Sequence, residues 1–149
     1  MNNRIDSHQH FWKFDPVRDS WIDDSMLKIQ KDFMPEDLLP LLTENQFSGC
    51  VAVEAHQSEE QTNFLLDLAS KNDFIKGVVG WVDLLDKNVA ERLHHFSVHE
   101  KLKGFRHVVQ GEADDFILRN NFRNGIGALK QYNFTYDILI FHRQLPAAI

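Results

Sequence analysis

The order of apolar runs along this chain constrains its fold more than any single residue does. Five short runs rich in β-branched and aromatic residues recur: RIDSHQH (4–10), GCVAVEAH (49–56), FIKGVVGWVD (74–83), LKGFRHVV (102–109) and FTYDILIFH (134–142). They are short and, RIDSHQH aside, mostly apolar, as strands covered on both faces should be. Stretches with helical spacing separate them. MPEDLLPLLTENQ (34–46) has Pro35 where a first turn tolerates it, and Pro40, which is expected to shorten or kink the helix. SEEQTNFLLDLASK (58–71) opens with a capping-box pattern: Ser58 accepts from the third backbone N–H, Gln61 reaches back, and Phe64, Leu65 and Leu68 form an apolar stripe. DKNVAERLHHFSVHE (86–100) sets Val89, Leu93 and Phe96 on one face. DDFILRNNFRNGIGALKQY (114–132) carries Phe116, Ile117 and Leu129, with two glycines weakening its middle. Strand alternating with helix predicts parallel βαβ units whose right-handed crossovers bring all strand C-termini to one edge.

Composition narrows the function classes. The 149 residues are 43% hydrophobic, with 12 Phe and 3 Trp, which is enough to bury the core of one domain. A net charge of −6 without a basic stripe argues against a nucleic-acid partner. The lone cysteine, Cys50, sits in the apolar run GCVAV and reads as a small buried hydrophobe. MNNRIDSH lacks the apolar centre of a signal peptide, and no run approaches the roughly 20 apolar residues of a membrane span, so a cytoplasmic location is expected.

The strand ends carry the chemistry. Side chains alternate along a strand, so His8 and His10 share a face at the end of the first. Glu54 and His56 repeat that spacing on the second, Trp81 and Asp83 close the third, Arg106 and His107 lie in the fourth, and His142 and Arg143 close the fifth. Parallel α/β folds bind ligands at that edge. For an isolated residue such as Asp83 a solvated strand end is explanation enough. Two imidazoles on one face are different, because they offer two nitrogens to one ion of the Zn²⁺ type, with Glu54 or His56 as a candidate third ligand. Arg106 and Arg143 suit a carboxylate or a developing oxyanion. The aromatic, acidic segment 11–34 has no clean period and is read as a loop over this edge, with Trp12 and Trp21 as candidate substrate contacts. His95 and His99 share a helix face by spacing and, with His94, read as solvated.

The pieces DSHQHFW, VAVEAHQSEEQT, GVVGWVDL, LKGFRHVVQ and DILIFHRQLP, spread from Arg4 to Ile149, resemble the amidohydrolase-related family of TIM-barrel hydrolases. They are most similar to its sugar-lactone branch, the L-fuconolactonase- and L-rhamnonolactonase-like enzymes. The resemblance implies an α/β fold of the (β/α)₈ barrel type, with water attacking the ring carbonyl of an aldonolactone to give the open acid. It implies that His8 and His10, with Glu54 near them, hold one divalent metal such as zinc in some members, while others work without metal. It also implies that His107, His142 and Arg143 serve catalysis and that Trp12, Trp21, His56, Trp81 and Arg106 face a small-molecule lactone.

The family continues for three further strands. A histidine after strand six and an aspartate after strand eight, the expected general base, complete its site. Here the sequence ends just past the fifth strand, and a barrel needs about 250 residues. The expectation is therefore an incomplete barrel of about five parallel βα units, with residues 1–149 forming the N-terminal part of a single barrel domain. Alone it should be nearly inactive, and a C-terminal half-barrel or a homo-oligomer would cover its open side. Three alternatives stand beside this reading. One is a dicarboxylate lactonase or decarboxylase on the same scaffold. Another is a non-catalytic fragment that binds a metal or ligand. The last is a complete open flavodoxin-like domain, against which no Gly-rich phosphate loop follows the first strand.

Overall fold

The computed structural model describes residues 4–149, so Met1–Asn3 of the stretch read above for a leader lie outside the described residues. Five strands, β1 (Ile5–Gln9), β2 (Gly49–Val53), β3 (Ile75–Gly80), β4 (Leu102–Val108) and β5 (Thr135–Leu139), form one sheet. All four pairings are parallel. The helices between them are α1 (Pro35–Glu44), α2 (Glu59–Lys71), α3 (Val89–Phe96) and α4 (Asn120–Leu129), and a single turn, α5 (Leu145–Ala148), follows β5.

Strand order separates the barrel reading from the open-sheet one. A flavodoxin-like sheet runs 2-1-3-4-5, because its chain reverses direction after the first strand. Here the order is β1-β2-β3-β4-β5, each strand added on the same side of the last. Side chains on the inner face show that the sheet curls. Neighbouring strands lie about 4.8 Å apart, so in a flat sheet residues of β1 and β4 would stand roughly 14 Å from each other. Instead Arg106 Nη1 of β4 reaches within 3.3 Å of His8 Nε2, just inside β1. The five strands form an arc of a barrel.

The core lies between the outer face of that arc and the helices. Cys50, Ala52, Val78 and Phe105 of the strands meet Leu65, Leu68 and Ala69 of α2 and Leu93 and Phe96 of α3. Burying a Phe or Leu side chain contributes about 1.5–3 kcal/mol, which makes this layer the main source of stability. In α2 the predicted stripe shifts slightly: Leu66 joins the buried set and Phe64 is only half-buried.

Several local readings are corrected. Ser58 accepts from Gln61 N as expected, but the Gln61 side chain does not reach back. It donates instead to the Phe11 carbonyl at 3.0 Å, because a buried carbonyl in the β1 exit has greater need of a donor. Pro40 sits inside α1 without ending it. The helix holding His95 stops at Phe96, so His99 is not on it. The stretch 114–132 divides into a 3₁₀ turn (Phe116–Leu118), α4, and a second 3₁₀ turn (Lys130–Tyr132) closed by Asn133 at φ 58°. The strands end at Val53, Gly80 and Leu139, so Glu54, His56, Trp81 and Asp83 lie in the loops beyond them, and His142 and Arg143 in a 3₁₀ turn (His142–Gln144).

The glycines of α4 divide in role. A Cβ on Gly125 would collide with the Leu84 carbonyl, so this glycine permits the close approach of α4 to the chain after β3. A Cβ on Gly127 would meet nothing. Gly125→Ala should therefore lower stability by about 1–3 kcal/mol through overpacking. Gly127→Ala should raise it by about 0.5–1 kcal/mol by restricting the unfolded chain. Denaturant unfolding of both variants checks the pair of opposite signs.

Candidate active site

A cavity of about 440 Å³ opens at the C-terminal edge of the arc. Its polar side is lined by His8, His10, His56, Arg106 and Asp19. Its apolar side consists of Trp12, Trp21, Ile22, Ile29, Ala55 and Leu139.

The floor is set by parity along the strands. Arg106 pairs in register with Asp137, and Val108 with Leu139, so these residues share the inner face. Phe105 and His107 point the other way. Arg106 is buried, and its guanidinium is anchored to the exit of β2: Nε donates to Glu54 Oε1 at 2.8 Å and Nη2 donates to the Glu54 carbonyl at 2.6 Å. Nη1 is left facing His8 Nε2. Burial pushes the Glu54 carboxyl above its ordinary range, and the Arg106 charge and hydrogen bond oppose that push. Breaking such a pair strands a charge in the interior.

The two histidines converge. His10 Nδ1 lies 2.9 Å from the Val53 carbonyl, which can only accept, so Nδ1 carries the proton and Nε2 presents a lone pair. Burial holds the His10 pKa below the usual histidine value; the Val53 carbonyl resists this, and the Arg106 and His8 charges add to it. His8 Nε2 is 3.3 Å from His10 Nε2, with the rings at 79°. Two nitrogens bound at 2.0–2.1 Å to a tetrahedral ion stand about 3.3–3.4 Å apart, so the pair has the spacing of two ligands of one such ion. Arg106 Nη1 uses the same His8 nitrogen, so an ion binding there competes with that hydrogen bond. Among the described residues no three His, Cys, Asp or Glu side chains gather around one point. Glu54 Oε1 accepts from Arg106 while Oε2 is buried with no partner among the described residues, and the carboxylate does not gather with the two histidines around one point.

The roof is the excursion between β1 and α1. Its ends meet at an isolated antiparallel bridge, where Trp12 N donates to Phe33 O at 3.1 Å and Phe33 N to Trp12 O at 2.9 Å. The two rings stack above it, 4.4 Å between centroids. Inside, Asp15 Oδ1 accepts from Val17 N and Arg18 N to make a turn. Asp19 ties the turn shut. Its Oδ2 accepts from Asp15 N at 2.9 Å, and Arg18 grips both of its oxygens at 2.7–2.8 Å. These hydrogen bonds, that from Arg18 foremost, hold the Asp19 carboxyl below its usual range. A 3₁₀ turn, Asp24–Ile29, closes the segment. The loop predicted over residues 11–34 is thus an ordered cover.

Of the candidate site residues, the structure brings together His8, His10, Arg106, His56, Trp12 and Trp21 around this cavity. Trp81 is partly buried outside its lining, with its backbone N–H and C=O both bonded to Thr62 Oγ1. His107 stands on the helix side of β4, stacked on Phe116 at 12° with Nε2 3.3 Å from Glu112. That placement follows from parity: in a strand, the neighbour of an inward residue points outward. His142 is exposed and outside the cavity lining, and Arg143 turns to Asp114 Oδ1 at 2.9 Å. Asp19, Ile22, Ile29 and Leu139 were missed. The Asp15-Pro16 turn signal marked the start of the Asp19 knot, but nothing in the sequence showed which way its apolar residues face.

Comparison with known proteins agrees with this geometry. The amidohydrolase family matches over residues 5–149. An L-fucono-1,5-lactonase of Burkholderia multivorans is 40% identical over 145 residues, covering 96% of this chain and 49% of that protein. One of Burkholderia ambifaria is 35% identical, covering 100% of this chain and 52% of that protein. A crystal structure of an amidohydrolase from B. multivorans with bound zinc superposes with a TM-score of 0.92 at 39% identity, over 98% of this chain and 52% of that one. This chain therefore spans about half the length of the curated relatives it matches.

Two predictions follow from the anchoring contacts. Removing one partner of the buried pair, as in Glu54→Ala, should cost about 3–5 kcal/mol in chemical unfolding, because the Arg106 charge is then uncompensated. Asp19→Asn should lower stability at neutral pH. Since the Asp19 pKa is lowered on folding, its contribution is present above the unfolded carboxylate value of about 3.9 and is lost as the pH falls through the folded value. The gap between wild-type and variant unfolding midpoints should close towards acid pH.

Proposed function

This chain belongs to the amidohydrolase family, and from that membership we propose that it forms the N-terminal part of a hydrolase opening a sugar-derived lactone. The observation that carries this reading is the pairing of a lactonase-like sequence with a ligand-sized cavity where His8, His10 and Arg106 meet. Residues 1–149 then make up the first five βα units of one barrel domain.

In this reading water adds to the ring carbonyl, the ring C–O bond breaks, and the departing ring oxygen takes up a proton to give the hydroxy acid. Arg106 is the group suited to the developing negative charge. Glu54 holds its fork rigid, and Nη1 is directed into the cavity, so little reorganisation is needed as charge builds on the carbonyl oxygen. His10 is held as the Nδ1–H tautomer, which leaves its Nε2 lone pair available to zinc or a similar ion, and His8 Nε2 would join it by giving up its contact with Arg106 Nη1. Such an ion, when bound, polarises a carbonyl or lowers the pKa of a bound water. His56 faces the cavity partly buried, and burial followed by the Arg18 charge keeps its pKa low, so it is suited to contact substrate as a neutral imidazole. Trp12 and Trp21 offer flat faces to a sugar ring.

No free carboxylate lines the cavity among the described residues: the one that does, Asp19, has both oxygens engaged. The base is therefore assigned to the rest of a complete barrel. The 149-residue chain alone should hydrolyse L-fucono-1,5-lactone about 10²–10⁴-fold less efficiently than the complete protein, which is the usual contribution of a positioned base. Comparable turnover by both, or none by a folded complete protein on any sugar lactone, overturns the reading. His8→Ala and His10→Ala should each abolish stoichiometric zinc retention, read by metal analysis after dialysis.

A further inference from the structure

The two sides of the cavity differ in chemistry. Strand-end residues supply most of the hydrogen-bonding side, His8, His10, His56 and Arg106, and the excursion adds Asp19, whose oxygens are both engaged. The excursion supplies Trp21, Ile22 and Ile29, and Leu139 at the end of β5 continues the apolar wall. Ile22 is buried at 6% exposure, and its backbone N–H is bonded to the Asp19 carbonyl, so the wall is held by the same knot that closes the turn. Three aliphatic side chains there offer no hydrogen-bond partner to a ligand hydroxyl.

In a hexose-derived 1,5-lactone the carbonyl carbon and the carbon bearing the single exocyclic carbon both flank the ring oxygen and their outward substituents diverge, while the hydroxyls sit on the other three ring carbons. Building on the lactone reading above, we propose that Ile22, Ile29 and Leu139 are specificity-determining residues that receive the exocyclic carbon and favour a methyl over a hydroxymethyl group there. The polar ring is drawn to the histidines and Arg106, which leaves the exocyclic end against the aliphatic wall. A hydroxyl placed there gives up its water and gains no partner. Apolar pockets reject an added hydroxyl only modestly, by about 10²-fold at most, and one methyl group is worth about 10–200-fold. The preference is therefore a graded one, held by side chains other than the reacting groups.

The test uses three lactones of one ring configuration: L-fucono-1,5-lactone (methyl), L-galactono-1,5-lactone (hydroxymethyl) and D-arabinono-1,5-lactone (no exocyclic carbon). Wild-type complete protein should show kcat/KM falling about 10–10²-fold from the first to the second and about tenfold or more from the first to the third. Ile29→Ser should shrink the methyl-to-hydroxymethyl ratio about tenfold, mainly through KM for the methyl lactone, and Ile29→Val should restore it. Leu139→Ser, on another element, should act in the same direction, which guards against collapse of the excursion alone. Calorimetric binding of the same lactones to wild type and variants is measured in parallel. If no lactone is turned over, the reaction assignment fails while the binding ratios still decide the specificity claim. Equal ratios in wild type, Ile29→Ser and Leu139→Ser, or a wild-type preference for the hydroxymethyl lactone, overturn it.

Discussion

The contact on which the site depends is the buried pair between Glu54 and Arg106. It joins the exit of β2 to β4 across the intervening β3, so it spans the inside of the arc. Two of the guanidinium's hydrogen bonds go to one residue, to its carboxylate and its carbonyl, which fixes the plane of the fork. The remaining Nη1 then has a single direction, towards His8. A surface pair could not do this, because solvent and side-chain entropy would blur the geometry. The arrangement has a thermodynamic cost: burial pushes the Glu54 carboxyl up even with a cation against it. The return is a preorganised positive group at the mouth of the sheet, with His10 kept neutral beside it.

Much of this was legible in the sequence. The five apolar runs fall on the five strands, and their parallel pairing followed from the helical stretches between them. The shared face of His8 and His10 needed only the two-residue repeat of a strand. The same rule puts His107 away from the cavity: if Arg106 faces it, the next residue along the strand points to the other side. His142 and Arg143 lie outside the cavity lining for a different reason. The fifth strand stops at Leu139, and beyond it the chain turns so that Gln144, fully buried, bonds the Val109 and Glu112 carbonyls. A glutamine with such a role has no periodic signal. Nor did Asp19 or Ile29, because the conformation of the excursion rests on contacts among its own side chains rather than on a repeat.

The polar groups in this chain divide their work between positioning and contact. Asp19, Gln61, Thr62 and Gln144 are buried and engaged with backbone or with a neighbouring side chain, and each fixes a strand exit or the cover. Gln57 Oε1 adds another tie, accepting from Val108 N and so linking the exits of β2 and β4. His8, His10, His56 and Arg106 are left facing the cavity. The separation lets the sheet edge hold its shape without using the side chains that would meet a ligand.

The two-bond gate between Trp12 and Phe33 has an evolutionary corollary. Everything from Lys13 to Asp32 hangs from one narrow neck, and the closure entropy of such a hoop grows only with the logarithm of its length. Residues within it can be exchanged, added or lost while the strands on either side keep their register. On the specificity reading proposed above, the excursion's share of the apolar wall, Ile22 and Ile29, can drift as a detachable cassette while His8, His10 and Arg106 stay on the scaffold beneath.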